Sequence, residues 1–250
     1  RQLPDHVHTQ RFAADVSRRW QEKENPFPPE TLIEYVLDLA PLFEAGKGWA
    51  YSDTGYILLG LVIEKVTGRH YFDEINQRFL APLGLQHTAP ANRRELPGLA
   101  AGYMSADNAF GLPHKTTSEQ GVLRWHPGME WTGGGLVSNS TDLAHWGAAL
   151  FNGQAMPGAY LEELLHSVAT DPHTPDLRYA AGVAVMRTGT FGPVYGHGGW
   201  IPGYCTSLRH YPEHGVTIAF QINTDTLSGT DTTQVIREME AHLAAVVINH

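Results

Sequence analysis

Apolar residues recur at helical spacing in several segments of the chain. In residues 30–40 (ETLIEYVLDLA) they follow this spacing until Pro41 ends the pattern, which predicts a helix. The same kind of pattern predicts further helices at residues 70–80, 141–151, 158–167 and 232–247.

The segment at residues 52–67 gives the clearest helical pattern. Ser52 or Asp53 can cap its first turn, and Gly68 follows its last turn, where a left-handed residue is favoured. The residues that the helical period places on one face are Tyr56, Leu59, Ile63 and Val66. We therefore expect a long helix that begins directly after Tyr51.

Two stretches show no sustained period. Residues 1–29 are polar and contain several prolines, so we expect an irregular segment that leads into the first helix. Residues 86–135 are rich in Gly, Pro, Asn and Thr. Irregular stretches of this length in compact proteins often line binding sites.

The second part of the chain changes to the pattern of β-strands. Strands are predicted at residues 180–187, 192–196, 204–211 and 216–223. Residues 212–215 (PEHG) make a plausible hairpin turn between the last two of them. Helices followed by hairpin-connected strands and a final helix predict an α+β fold with an antiparallel sheet.

The order of these elements predicts one domain over residues 1–250, with a mainly helical region at 20–170 and the sheet with its C-terminal helix at 178–250. Hydrophobic residues make up 42% of the chain, which is ordinary for a globular protein. No run of 18 apolar residues occurs, so no membrane span is expected. The net charge of −9 and the lack of a basic stripe argue against nucleic acid as a partner.

The residues offer little support for a metal, a cofactor or a thiol nucleophile. The chain has 14 histidines, but no H-E-x-x-H motif, so we expect no metal site and no cofactor. No G-x-S-x-G elbow occurs, which disfavours an α/β-hydrolase. Cys205 is the only cysteine; it excludes an internal disulfide, and a thiolate nucleophile is an alternative that we consider weak.

The first candidate for chemistry is Tyr51-Ser52-Asp53, at the start of the clearest helix. A tyrosine is a poor base at neutral pH unless a nearby cation stabilises its phenolate. Catalysis by Tyr51 would therefore need a Lys or His close by. Without one, Tyr51 is a packing residue at the helix start.

The second candidate is residues 196–200 (GHGGW), between a predicted strand and the turn Ile201-Pro202-Gly203. The glycines would let a substrate approach the backbone closely. His197 could donate a hydrogen bond or set a proton-transfer equilibrium, and the backbone N–H of Trp200 could serve an oxyanion hole if the strand lies at a sheet edge. The alternative is a glycine-rich bend with a surface histidine.

Together, these stretches resemble the serine β-lactamase-like family, which includes class C β-lactamases, D-Ala-D-Ala carboxypeptidases, D-aminopeptidases and related esterases. The matching text is WAYSDTGYILLGLVIEKVTG at 49–68, APLGLQHT at 81–88, GGGLVSNSTDLAHWGAALFNG at 133–153 and GHGGWIPGY at 196–204. The resemblance covers nearly the whole chain. It implies a β-lactamase/transpeptidase-like fold, an antiparallel sheet flanked by helices plus a mainly helical region.

The resemblance also implies roles for particular residues. In this family a Ser in an S-x-x-K motif attacks a carbonyl group, while a Y-x-N element and a K/H-x-G strand complete the site. Tyr51 matches the acid/base tyrosine, and His197, Gly198 and Gly199 match the triad on the edge of the sheet. Trp200 would contribute the oxyanion-hole N–H.

The chain departs from the family pattern at two points. Asp53 stands where the family usually has Asn, which replaces an amide by a carboxylate that only accepts hydrogen bonds when ionised and could change the recognised substrate group. In addition, none of the nine serines has a Lys three residues on, so the chain contains no S-x-x-K.

Since S-x-x-K lies on an early helix in the family, we expect the N-terminal part of the fold to be absent. Three explanations stay open: a cleaved or truncated hydrolase, a nucleophile segment supplied by a separate chain, or a natural non-catalytic relative. The expected function is a serine hydrolase of an amide, ester or peptide when complete, inactive as this chain alone; the alternative is a binding or scaffold relative.

The resemblance implies partners as well. The missing segment would leave an apolar groove and a free sheet edge, so we expect the isolated chain to bind its own N-terminal fragment, form a homo-oligomer or rearrange. Family members are often exported, which suggests a periplasmic or external location, although the residues themselves leave the compartment open.

Overall fold

The computed structural model of the chain describes residues 4–19, 27–108, 111–226 and 231–249. Parts of the predicted irregular segment at 1–29 and of the helical region at 20–170 lie outside these residues. The helices are α1 (Gln10–Arg19), α2 (Pro29–Glu34), α3 (Asp53–Thr67), α4 (Tyr71–Ile75), α5 (Trp131–Gly134), α6 (Ser140–Phe151), α7 (Gly158–Leu165) and α8 (Thr232–Ile248). None of these described helices is long and apolar enough to cross a membrane.

Within the described ranges, eight strands complete the α+β architecture that the sequence predicts. They are β1 (Ala89–Pro90), β2 (Leu136–Val137), β3 (Val168–Ala169), β4 (Leu177–Tyr179), β5 (Ala184–Met186), β6 (Val194–Ile201), β7 (Tyr204–Tyr211) and β8 (Val216–Ile222). Strands β1 and β2 form a small antiparallel pair, and the other six form one antiparallel sheet in the order β3-β4-β5-β6-β7-β8. The predicted antiparallel sheet is confirmed.

The described residues form two compact units. The first lies within Arg1–Leu80 and Ala89–Val137, and the second lies within Ala81–Thr88 and Ser138–His250. The long irregular stretch at 86–135 therefore belongs mainly to the first unit, where short elements and turns interrupt it.

The core of the first unit forms where helices α1, α2 and α3 bury one face each. Phe12 and Val16, four residues apart on α1, pack with Leu32, Ile33 and Ile57. The expectation of an irregular segment over residues 1–29 is wrong for residues 10–19, which form helix α1. The two buried residues of α1 have helical spacing in the sequence. Helix α2 is shorter than predicted: it ends at Glu34, and residues 35–38 form a turn.

Helix α3 begins and ends almost as predicted, but it buries a different face. Gly68 follows it with φ 68°, the left-handed conformation expected there. The buried positions are Thr54, Ile57 and Gly60, whereas Val66 is 79% exposed and Leu59 is 55% exposed. Gly60 explains the difference: a Cβ there would lie 2.4 Å from Thr132 Cγ2, so helix α5 packs against the side that has no side chain.

The second unit is the six-stranded sheet with helices packed on it. Helix α6 approaches β7 so closely that a Cβ at Gly147 would lie 2.7 Å from Leu208 Cδ1. From α8, Glu240 accepts hydrogen bonds from Ser207 Oγ at 2.5 Å and makes an ion pair with Arg209 at 3.0 Å. These contacts position β7, the strand that pairs with β6.

The strands of the second unit differ from the prediction in two respects. Residues 196–200 lie inside the eight-residue strand β6, rather than after a strand, and pair with β7 through Trp200↔Cys205. Strands β3 and β4 were missed because they are only two and three residues long. The predicted turn at 212–215 is confirmed, since Tyr211 pairs with Val216 on either side of it.

Candidate functional site

The first group of predicted site residues lies at the start of α3. Ser52 is the N-cap residue, although its hydroxyl makes no capping hydrogen bond, and Asp53 is the first helical residue. Tyr51 is 41% exposed, and its phenol donates a hydrogen bond to the Asp53 carboxylate. The structure therefore brings the acid/base candidate and the residue that replaces the family's Asn into direct contact.

A short segment before α1 holds this helix start in place. The backbone N–H of Asp53 donates to Asp5 Oδ2 at 3.2 Å, and the backbone N–H of His6 donates to Thr54 Oγ1 at 2.9 Å. Asp5 and His6 are both buried. Two hydrogen bonds across 48 residues thus fix the orientation of the Tyr51-Ser52-Asp53 turn.

Asp53 is one of three neighbouring carboxyl groups in the first unit. Its Oδ1 is buried with no hydrogen-bond partner among the described residues, and a Cβ on Gly133 of α5 would lie 3.4 Å from Asp53 Cβ. Glu130, just before α5, interacts electrostatically with both Asp53 and Asp5. Asp5 and Glu130 belong to no motif that sequence analysis could recognise, because only tertiary packing brings them to the helix start.

Burial and electrostatic repulsion raise the pKa values of Asp53, Glu130 and Tyr51. Burial, followed by the charge of Asp5, raises the pKa of Asp53 to about 6. Burial, followed by the charge of Asp53, raises the pKa of Glu130 to about 7. The pKa of Tyr51 is raised well above its ordinary value by burial and then by Asp53, so its phenol is protonated at neutral pH.

The Asp53→Asn variant is expected to remove part of the pH dependence of stability. Between about pH 4 and 6 the folded chain keeps a proton on Asp53 that the unfolded chain releases, so stability falls as pH rises through this window. At pH 8 the variant should be more stable by about 1–2 kcal/mol, allowing for partial exposure of the carboxylate. At pH 4 the two proteins should be nearly equal in urea unfolding.

Asp38→Asn, at an exposed position, is the matched control for this measurement. It removes one carboxylate from the surface and should change the difference between pH 4 and pH 8 much less. Asp53→Asn could instead raise the free energy of unfolding equally at pH 4 and pH 8. That result would contradict the claim that the Asp53 carboxylate is destabilised by burial and by repulsion from Asp5.

The second group of predicted site residues lies on β6 in the second unit. Strand β5 pairs with β6 only as far as Ala184↔Gly196, so beyond this point β7 is the neighbouring strand of β6 among the described residues. Gly198 and Gly199 are exposed, and Trp200 is 55% exposed. These residues therefore lie at an edge of the sheet, the condition under which a backbone N–H can face a substrate.

The three glycines of this strand differ in what surrounds them. A Cβ on Gly196 would lie 1.9 Å from the backbone oxygen of Leu208, which no structure tolerates. A Cβ on Gly198 would meet its nearest atom, Thr206 O, only at 3.8 Å, and one on Gly199 would contact Thr206 Cβ at 3.4 Å. Gly196 is thus required by the sheet itself, whereas the sheet leaves room for a side chain at Gly198.

His197 lies half-buried on the same strand. Its Nε2 lies 2.8 Å from Tyr179 Oη, and its Nδ1 hydrogen-bonds with the backbone oxygen of Gly198. Burial, assisted by the charge of Arg209, lowers the pKa of His197, although the Gly198 contact opposes this effect. The imidazole is therefore neutral at neutral pH.

The alternative nucleophile, Cys205, lies on β7 in the second unit. Cys205 is 3% exposed, and burial raises the pKa of its thiol to about 11. A buried thiol with that pKa carries almost no thiolate at neutral pH, which argues against a Cys205 hydrolase.

The structure places Tyr51 and Asp53 in the first unit and His197, Gly198, Gly199 and Trp200 in the second. Hydrogen bonds within the first unit hold the start of α3, and hydrogen bonds within the second unit hold His197. That both groups complete one site is what the resemblance to the family implies, and it stays a prediction.

Comparison with known proteins gives this arrangement a context. The family model described as Beta-lactamase matches residues 3–241. A penicillin-binding protein of Bacillus subtilis (strain 168) is 29% identical over 227 residues, and a putative D-alanyl-D-alanine carboxypeptidase of Escherichia coli O157:H7 is 28% identical over 192 residues. The match to the first covers 86% of this chain and 48% of the relative, and the match to the second covers 66% and 43%.

Among solved structures, a D-stereospecific amidohydrolase from Streptomyces sp. superposes with a TM-score of 0.80 at 27% identity. That superposition covers 94% of this chain and 68% of the other chain. The matches to the two curated relatives cover 48% and 43% of their lengths, so this chain spans about half the length of those relatives.

Proposed function

Because the chain belongs to the Beta-lactamase family, we propose that it is part of a serine hydrolase that cleaves an amide or ester through an acyl-enzyme. The contact between the Tyr51 phenol and the Asp53 carboxylate, at the start of α3, carries this proposal. It gives this chain a proton-handling group of the kind that acyl transfer needs.

The nucleophile is proposed to come from a segment outside these 250 residues. None of the nine serines of the chain has a Lys three residues on. The only cysteine is buried with a raised pKa and offers no substitute. A serine on an additional segment would attack the carbonyl, and water would then release the acyl group.

Tyr51 is proposed to move the proton during this attack. Burial and the charges that act on its phenol within the chain all favour the protonated form, so Tyr51 by itself keeps its proton at neutral pH and can donate a hydrogen bond. A base at neutral pH would need a cation beside the phenol to stabilise the phenolate. The lysine of an S-x-x-K motif would supply that charge, and it would also relieve the repulsion among Asp5, Asp53 and Glu130.

The edge of β6 is proposed to receive the substrate. The absence of side chains at Gly198 and Gly199 lets a peptide-like backbone approach the strand, and the backbone N–H of Trp200 would donate to the oxygen that becomes negative. Because His197 is neutral at neutral pH, it would line this edge as an uncharged ring rather than as a cation.

The proposed substrates are small amides, esters or peptides with a D-residue next to the cleaved bond. Two of the named relatives support this, since one is described as a D-stereospecific amidohydrolase and another as a putative D-alanyl-D-alanine carboxypeptidase. The second candidate function is a non-catalytic binding or scaffold protein, which the lack of S-x-x-K in the chain favours.

Covalent labelling tests the proposal. A fluorescent penicillin and a fluorescent phosphonate should both fail to label the 250-residue chain. They should label the protein made from the coding sequence extended upstream of Arg1, and an excess of unlabelled reagent should block that label. Detection is by gel fluorescence and intact mass.

Two results would count against the proposal. Labelling of the 250-residue chain would place the nucleophile within it. Lack of any label on the extended protein, with a native circular dichroism spectrum, would favour the binding or scaffold alternative.

A further inference from the structure

The imidazole of His197 is held at both ring nitrogens. Tyr179 Oη lies 2.8 Å from Nε2, and the backbone oxygen of Gly198 contacts Nδ1. The two rings also meet edge to face, with centroids 5.8 Å apart and an interplanar angle of 76°. The ring therefore has little freedom to rotate about its Cβ–Cγ bond.

The two partners together select one form of the neutral ring. A backbone carbonyl oxygen can only accept a hydrogen bond, so the hydrogen of the neutral imidazole must be on Nδ1. The lone pair of Nε2 then accepts from the Tyr179 hydroxyl, which can donate. Gly198 and Tyr179 thus favour the same tautomer.

The contact lies at the end of the pairing between β5 and β6. Tyr179 of β4 pairs with Ala184 of β5, and Ala184 in turn pairs with Gly196 of β6. Gly196 is the last residue of β6 that pairs with β5, and His197 follows it. Tyr179 and His197 therefore meet where His197 no longer faces a residue of β5.

We infer that Tyr179 is a positioning residue that fixes the orientation and the Nδ1–H tautomer of His197 beside the Gly198–Gly199 edge. This inference rests on the proposed function, in which that edge receives the substrate. Nothing in the chain's sequence pattern pointed to Tyr179, because it lies on a strand of three residues.

One consequence concerns how His197 takes part in binding. With its N–H directed at Gly198 O and its Nε2 facing Tyr179, the neutral ring presents no donor of its own to a substrate. The Tyr179–His197 pair has a fixed position beside the exposed strand edge and limits which substrate groups fit there. An imidazole that could rotate would present an N–H donor to the substrate and make the site less selective.

Nuclear magnetic resonance of protein labelled with 15N-histidine tests the inference without any substrate. Long-range 1H–15N spectra at about pH 8, where the ring is neutral, distinguish the two tautomers. The His197 signals are assigned by their loss in His197→Asn. We expect one ring form in the wild-type chain, protonated on Nδ1, and a second set of signals from an Nε2-protonated form in Tyr179→Phe.

A control variant separates the effect of the Tyr179 hydroxyl from a general disturbance of the sheet. Tyr195→Phe removes a phenol oxygen two residues from His197 on the same strand and should leave its ring signals unchanged. Phe at position 179 keeps the aromatic contact, so the fold should be retained.

The inference is overturned if the wild-type ring carries its hydrogen on Nε2, or if Tyr179→Phe shows only the wild-type form. In extended protein that forms an acyl-enzyme, Tyr179→Phe should lower kcat/KM by about 10- to 100-fold while Tyr195→Phe does not. An unchanged kcat/KM would overturn the positioning role and leave the proposed function standing. Because the tautomer is measured without turnover, a failure of the proposed function is recognised separately, by the absence of labelling.

Discussion

Tyr51→Phe is expected to slow acyl-enzyme formation by about 10²–10⁴-fold in the extended protein, with little loss of stability. The hydroxyl is the only group that this change removes, and a proton donor or acceptor at the reacting centre contributes a factor of that size. Tyr51 is 41% exposed, so the folded state depends little on its hydroxyl. The rate of labelling by the fluorescent phosphonate measures the effect.

Tyr160→Phe is the matched control, because Tyr160 is an exposed tyrosine on α7. Its labelling rate should equal that of the wild type. A Tyr51→Phe rate within threefold of the wild-type rate would show that the phenol takes no part in proton transfer, even if the protein is a hydrolase.

The second large effect is expected at Gly196. In Gly196→Ala, the new methyl group would lie 1.9 Å from Leu208 O and 2.9 Å from Leu208 C, both backbone atoms of the adjoining strand. Because backbone in the middle of a sheet cannot move aside without breaking its ladder, we expect a loss of about 3 kcal/mol or more. Urea unfolding followed by circular dichroism measures it.

Gly198→Ala provides the internal comparison on the same strand. Its methyl group would have Thr206 O at 3.8 Å as its nearest neighbour, so the free energy of unfolding should change by less than about 0.5 kcal/mol. In the extended protein the same methyl group should raise KM, since it projects from the exposed edge that is proposed to bind substrate. Equal destabilisation by both substitutions would refute the distinction between the two glycines.

Local sequence patterns were sufficient wherever neighbours along the chain decide the structure. The bounds of α3, the left-handed Gly68 and the turn between β7 and β8 follow from helix and turn chemistry within a few residues. The buried face of α3 did not follow. It depends on Gly60, whose lack of a side chain admits α5, and a glycine has no apolar signal that a helical period could detect.

In the candidate site, too, local sequence identified some residues, whereas others depend on tertiary packing. Tyr51 and Asp53 could be named because they occupy two positions at one recognisable helix start. Asp5 and Glu130 could not, since each is distant in sequence from the carboxylate that it repels. Tyr179 was missed for a further reason: a three-residue strand is too short to show an alternating pattern.

The burial of the single cysteine also has a practical use. Because Cys205 is the chain's only thiol and lies sealed between strands, a cysteine introduced at an exposed position such as Tyr160 would react with maleimides almost alone. Fluorophores or spin labels could then be attached one at a time without first deleting a native residue. Distances between chosen points could be followed in solution while a substrate or a complementing fragment binds.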